Sequence, residues 1–360
     1  MGMLGNFDTC GYARSPSRPC SHNMSELIFI TGASGFIGSQ TAKSVLQAGY
    51  RIRLSIRQKE QEQELRDILK DASQDKIEFA HIPDLTTPGA FEEALEGVDY
   101  VFHLASPMPG KGEDFREDYV KPAVSGSLAI LQEALKHEQI KFVVVTSSIL
   151  ALIPLGGLSD SSAPIKANTG EKLPVSADMK FPDGAAGHGA KYSASKILAH
   201  QATRDFVEKE KPEYKLVTFH PVLVIGESLV QKNFDQLDGM NQVLWSSLHS
   251  TQPTMPSTFV DVKQCAESHV NAVRNYEKLK NGTEYGLSSP AVAWNEVAKF
   301  VKQEFPQVQV KLDDGPSLSS KFEVDTEPAD RDLKIQWRPV QDVVRDTLGQ
   351  QQAFQKQSHL

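Results

Sequence analysis

At 360 residues the chain is long enough for about two lobes, and 39% apolar with 23% charged residues is ordinary globular usage rather than that of a disordered chain. Lys plus Arg at 38 against Asp plus Glu at 46 leave a net charge of −8, which argues against a nucleic acid held by a general basic surface and still allows one anionic cofactor. Three cysteines, Cys10, Cys20 and Cys265, are too few for a disulfide framework and lack zinc-site spacing, so a reducing, cytoplasmic home and no metal are expected.

Residues 1–24 have neither the apolar core of a secretory signal nor an amphipathic transit pattern, and read as a disordered extension; Met24 leaves a later start open. From Ser25 short β-branched runs alternate with amphipathic stretches, the pattern of βαβ units in a parallel sheet. Strands are expected at 27–31, 52–56, 77–82, 100–105, 142–146 and 216–220, with helices at 37–47, 91–95 and 120–137. Ala48-Gly49 closes the first helix as a glycine cap. The fold class is therefore α/β: a Rossmann-type doubly wound parallel sheet over 25–226, followed by a smaller C-terminal substrate lobe over 227–360. Within that lobe, 260–279 is amphipathic enough to return to the first lobe as a packing helix.

The first strand runs directly into Gly32-Ala-Ser-Gly35-Phe-Ile-Gly38 and a helix, the context that a dinucleotide fingerprint requires. Gly32 would make the tight turn, Gly35 would admit a pyrophosphate to the helix N-terminus, and Gly38 would permit close helix–strand contact. No carboxylate ends the second strand. Instead Arg57, with Lys59, is placed to pair with a ribose 2′-phosphate, although a solvated basic edge has the same composition. After the third strand Asp84-Leu85 sits where an adenine would lie, and an Asp that merely begins a turn reads the same way.

Residues 142–159 carry no charge, yet Ser147, Ser148, Pro154, Gly156 and Gly157 break the run, so it reads as a buried strand entering a loop rather than a membrane span. Ser147-Ser148 then stands at the carboxyl edge, where a serine can donate to a carbonyl oxygen or simply cap the loop. The segment 151–188 is Pro-, Gly- and Ser-rich and reads as a long loop bordering a site. Tyr192-Ser-Ala-Ser-Lys196 places a phenol and an ammonium on one helix face, where Lys⁺ is expected to draw the phenol pKa down toward the working range of a general acid. Tyr276-Glu-Lys-Leu-Lys280 repeats the spacing at the end of a charged helix and is read as unrelated to the chemistry. His188 and His220 read as loop or core histidines. In the outer segment Phe234, Met240, Leu244, Trp245, Met255 and Phe259 either line a hydrophobic pocket or form the small lobe's own core.

Together these motifs resemble the extended branch of the short-chain dehydrogenase/reductase superfamily. The matches are Thr31-Gly-Ala-Ser-Gly-Phe-Ile-Gly38, Asp84-Leu85, His103-Leu-Ala-Ser-Pro107, Thr146-Ser-Ser148, Tyr192-Ser-Ala-Ser-Lys196 and Pro221-Val-Leu-Val-Ile-Gly226. The nearest subgroup is the dihydroflavonol-reductase-like one, with its fungal NADPH-dependent ketone and aldehyde reductases. The resemblance implies NADPH bound by Gly32, Ser34, Gly35, Phe36, Ile37, Gly38, Arg57, Lys59, Asp84, Leu85, Leu104, Ala105, Ser106, Thr146, Tyr192, Lys196, Pro221 and Val224. It also implies that Ser148 bonds the substrate carbonyl, Tyr192 protonates its oxygen and Lys196 tunes Tyr192. The implied partner is a small carbonyl compound, taken by a monomer or homodimer with no nucleic acid or membrane involved. Ile149, Glu227 and the long loop depart from the family pattern and bear on the substrate rather than the chemistry. Two rivals share the fold: a nucleotide-sugar epimerase or dehydratase, and a non-catalytic dinucleotide sensor.

Overall fold

The computed structural model describes residues 26–106, 112–157, 163–237, 239–253, 255–313, 315 and 321–357. The extension expected over 1–24 lies outside them, as does Pro107.

Strands β1 (Leu27–Thr31), β2 (Arg51–Ile56), β3 (Ile77–His81), β4 (Tyr100–His103), β5 (Phe142–Thr146) and β6 (Lys215–Pro221) end within two residues of the expected bounds. All five residues of β1 are buried, and Phe142 to Val145 of β5 equally so, because helices cover both faces of a parallel sheet and leave no polar side to alternate. The short strands β7 (Leu223–Ile225) and β8 (Phe259–Asp261) pair with each other in a separate parallel ribbon. A further strand, β9 (Glu284–Leu287), joins the edge of the main sheet; it was not legible locally, being four residues long with a glycine inside. The sheet order is β3-β2-β1-β4-β5-β6-β9, parallel throughout. The order reverses direction between β1 and β4, so a crevice opens at their carboxyl ends, where open α/β sheets bind ligands.

Helices α1 (Phe36–Gln47), α2 (Glu60–Ile68), α3 (Lys121–Ala134) and α4 (Ala185–Glu210) cover the sheet. The helix expected at 91–95 is only a 3-10 turn, Glu93–Leu95, too short to repay helix nucleation. Helix α3 is entered through a π-helical turn, Phe115–Val120, with Asp114 accepting the Glu117 N–H at its start. In the C-terminal part lie α5 (Gly239–Leu248), α6 (Val262–Asn275), α7 (Trp294–Glu304), α8 (Glu327–Leu333) and α9 (Val340–Gln357). Helix α6 packs along α1, and its His269 ring stands edge-on to Phe102 and Phe219 at 5.2 and 4.8 Å. Helices α5, α7 and α9 close a second core around Leu244, Phe259, Trp294 and Val344. No helix among the described residues is long and apolar enough to cross a membrane.

Candidate active site

The glycine turn is built by steric necessity at two of its three positions. Gly32 has φ +75°, and a Cβ on it would meet the Ala105 backbone N at 2.8 Å. A Cβ on Gly38 would lie 2.0 Å from the Gly32 carbonyl oxygen, so α1 can approach β1 this closely only without a side chain. Gly35 differs: its φ is −93° and its Cβ direction is uncrowded, which leaves the start of α1 open rather than strained. No side chain caps that start and no acidic residue stands in its first turn, so its positive end is free to face an anion. Ser34 Oγ accepts from Gln61 Nε2 at 3.0 Å, and Gln61 Oε1 accepts the Arg57 N–H at 2.8 Å. This bridge ties the glycine turn to the end of β2, a role for Gln61 that local pattern did not indicate.

Arg51 and Arg53 face away, both paired with Glu78, and Arg53 also reaches the Ala94 and Glu96 carbonyls. Arg57 is exposed, and its guanidinium makes no ion pair among the described residues. Lys59 is exposed beside it at the start of α2. Asp84 Oδ1 accepts both the N–H and the hydroxyl of Thr86 at 2.8 Å, which holds its carboxyl below the usual range, with Arg57 adding a smaller attraction. Asp84 is thus a turn residue, with Oδ2 left over for a donor such as an amino group. Replacing Arg57 by Ala should lower the ratio of kcat/KM for NADPH over NADH about tenfold or more, because a charge-assisted phosphate contact contributes about 1.5–3 kcal/mol. An unchanged ratio in steady-state assays with both cofactors would remove the contact.

At the carboxyl edge Thr31 Oγ1 accepts the Ala105 N–H at 3.1 Å and bonds His103 Nδ1 at 2.9 Å, so the chain leaving β4 is tied to β1. Burial, and then the Lys196 charge, push His103 down to about 4, which keeps it neutral. Leu104, Ala105 and Ser106 follow as non-regular backbone rather than continuing the strand to 105. Thr146 Oγ1 bonds His269 Nε2 at 2.8 Å, so that hydroxyl is engaged by the core. Ser148 Oγ accepts the Leu150 N–H at 3.2 Å, capping a 3-10 turn, Ile149–Leu152; its own proton stays available for an acceptor. His220 is a fully buried core histidine, bonded to Thr218 Oγ1 at 2.8 Å and to the Ser148 carbonyl at 3.1 Å. Pro221 ends β6, and Val224 is the middle residue of β7.

Helix α4 carries Tyr192 and Lys196 one turn apart. Ser193 and Ser195 bond back to the Gly189 and Tyr192 carbonyls, so these serines support the helix instead of competing with it. Lys196 Nζ donates to Ser106 Oγ at 2.7 Å and lies 5.4 Å from the centre of the Tyr192 ring. The expected lowering of the Tyr192 pKa does not occur: burial pushes the phenol up to about 12, and burial pushes Lys196 down to about 8. The ammonium points at Ser106 and covers the ring face, so desolvation outweighs its attraction for a phenolate. At neutral pH Tyr192 therefore holds its proton, as a donor must. His188, one turn earlier, bonds Tyr119 Oη at 2.6 Å. Tyr276 is far from this chemistry in function: its ring packs on Tyr100 and Phe142 at 5.5 and 6.0 Å, so it belongs to a core rather than to a charged surface helix.

The outer segment divides. Leu244 and Phe259 are fully buried in the small lobe's core, where α5 and β8 turn them against Trp294 and Val344. Phe234, Met240, Trp245 and Met255 stay partly exposed, with Phe234 edge-on to Trp245 at 5.4 Å.

A glycine turn that cannot carry side chains, an unobstructed helix N-terminus and a Tyr–Lys pair beyond the same sheet edge define a dinucleotide-binding α/β protein with acid–base equipment. The chain belongs to the NAD dependent epimerase/dehydratase family, whose model matches residues 28–287. It is 36% identical over 338 residues to a ketoreductase of Aspergillus fumigatus, covering 91% of this chain and 98% of that one. It is 31% identical over 303 residues to a putative NADPH-dependent methylglyoxal reductase of Candida albicans, covering 81% and 86%. Among solved structures, yeast methylglyoxal/isovaleraldehyde reductase complexed with NADPH superposes with a TM-score of 0.78 at 22% identity, covering 92% of this chain and 99% of that one.

Proposed function

We propose that the protein reduces the carbonyl of a neutral, fairly bulky ketone or aldehyde to the alcohol with NADPH. The observation that carries this reading is the α4 pair: a protonated, half-buried Tyr192 with Lys196 held against it by Ser106. NADPH, when bound, supplies the hydride. Gly32, Gly35, Gly38 and the start of α1 hold its pyrophosphate, and Arg57 with Lys59 its 2′-phosphate. Ser148, its oxygen engaged by Leu150, donates a hydrogen bond to the substrate oxygen and orients it. Tyr192 delivers the proton that completes the alcohol, and Lys196 orients and later recharges Tyr192. The names of the relatives, a ketoreductase and a methylglyoxal reductase, support carbonyl reduction.

A nucleotide-sugar substrate is disfavoured by the outer lobe. Between 227 and 259 there is no Arg, and the one Lys, Lys232, is paired with Glu64 at 2.8 Å. A diphosphate would meet little countercharge there. Phe234, Trp245, Met240 and Met255 instead offer apolar, adaptable surface. A carbonyl panel followed by NADPH absorbance should show turnover rising with apolar bulk, highest on aryl and long-chain ketones and aldehydes. Efficient turnover of small keto acids or nucleotide sugars alone would overturn the assignment.

A further inference from the structure

Each carbonyl reduced consumes one proton from Tyr192, and Lys196, which must replace it, is only 6% exposed. The cofactor and carbonyl would fill the front of this pair, so the replacement proton needs another way in. Behind Lys196 lies an inner cavity of ≈ 20 Å³, room for about one water, bounded by Lys196, Ser106, Ser147, Thr203, Thr218 and His200. Further along α4, toward its C-terminal end, an outer cavity of ≈ 340 Å³ is bounded by Arg204, Glu284 and the exposed Lys280 and Asn281. His200, Thr203 and Thr218 line both. The chemistry-bearing positions on α4, Tyr192, Lys196, His200 and Arg204, recur at four-residue spacing and so descend one face of the helix.

His200 is the group between the cavities. It is 4% exposed, its Nδ1 has no hydrogen-bond partner, and its Nε2 lies 3.1 Å from Glu284 Oε1 without hydrogen-bond alignment. Its ring stands edge-on to His220 at 4.6 Å. His220 itself cannot carry a proton through, since both its nitrogens are engaged by Thr218 and Ser148. Glu284 is held ionised: burial opposes its charge, and His200 and Arg204 more than offset that. These three groups lie within 4.8 Å of one another, but a cation there would have to displace Arg204, Thr218 and Ser148 from them.

We propose that His200 is the gate of a rear proton path that recharges Lys196 from the solvent of the outer cavity, further down the same face of α4 from Tyr192. After Tyr192 Oη gives its proton to the carbonyl oxygen, the phenolate takes one from Lys196 Nζ. The amine takes one from the inner-cavity water as that water receives one from a His200 ring nitrogen. The other His200 nitrogen takes one from outer-cavity water beside Glu284. The sum is one solvent proton per carbonyl reduced, with Tyr192 and Lys196 restored and His200 left as its other tautomer, which a turn of the ring resets before the next cycle. His200 is a positioning residue in this scheme, acting through Lys196. The inference rests on Tyr192 being the acid.

The test is His200→Ala and His200→Gln assayed with NADPH and the best aryl ketone of the panel. The first turnover, which uses the proton already on Tyr192, should proceed at the wild-type rate. Steady-state kcat should then fall at least about tenfold, within the range that proton-transfer groups supply. Imidazole added to His200→Ala should restore kcat saturably through the outer cavity, without changing the wild type. Wild-type kcat in either folded variant overturns the path. So does a loss that slows the first turnover equally and resists imidazole. His200→Gln keeps a polar side chain of similar size, so it serves if His200→Ala melts early. If Tyr192→Phe retains turnover, the acid assignment fails; if it is inactive while both His200 variants match wild type, only the path fails.

Discussion

Tyr192→Phe loses carbonyl reduction by at least about 10²-fold while NADPH affinity, read by fluorescence titration, stays at the wild-type level. The substitution deletes one hydroxyl from a half-buried ring whose packing against the cluster of Phe115, Tyr119 and Ala194 is unchanged. General acid catalysis contributes about 10²–10⁴-fold, and Phe has no proton to give. Because the phenol keeps its proton until about 12, the wild-type enzyme should show no loss from Tyr192 titration anywhere near neutral pH. Tyr276→Phe is the matched control. Its ring packs on Tyr100 and Phe142, so the variant should keep full turnover and lose at most a little stability. An active Tyr192→Phe beside an inactive Tyr276→Phe would reverse the assignment.

Gly38→Ala should abolish cofactor binding and lower the melting temperature together. The new methyl would sit 2.0 Å from the Gly32 oxygen and 2.7 Å from its carbonyl carbon, so α1 must move off β1 and carry the glycine turn with it. Overpacking of this kind costs about 1–3 kcal/mol, and the displaced turn no longer presents its N–H groups to a pyrophosphate. Gly35→Ala separates the two effects. Its Cβ would be 3.4 Å from the Gly32 oxygen at a φ that alanine adopts freely, so the melting temperature should hold while NADPH no longer raises it. Thermal melts with and without NADPH decide the matter, and a Gly38→Ala protein that melts and binds like wild type would refute the steric argument.

The same contrast between near and distant neighbours runs through the whole chain. Strands β1 and β5 were legible because a buried parallel strand is apolar along nearly its whole length, and the glycine motif because its spacing follows from one turn and one helix start. The Tyr192–Lys196 pair was legible for a similar reason: helical spacing alone puts residues four apart on one face. His200 stood at the next step of that spacing and could have been noticed there, though nothing local showed it unpartnered beside Glu284, 84 positions away.

What only the tertiary structure decided is what each segment buries and against whom. Strand β9 carries too little pattern to announce itself and is a strand because β6 and the Asn168 loop pair with it. Leu244 and Phe259 are core rather than pocket because α7 and α9 cover them. The Tyr192 pKa moves opposite to the direction that its neighbour alone implies, for the same cause. Sequence determined that a cation stands one helical turn away, but desolvation depends on every chain segment that closes around the phenol, and burial outweighs a single charge turned toward Ser106.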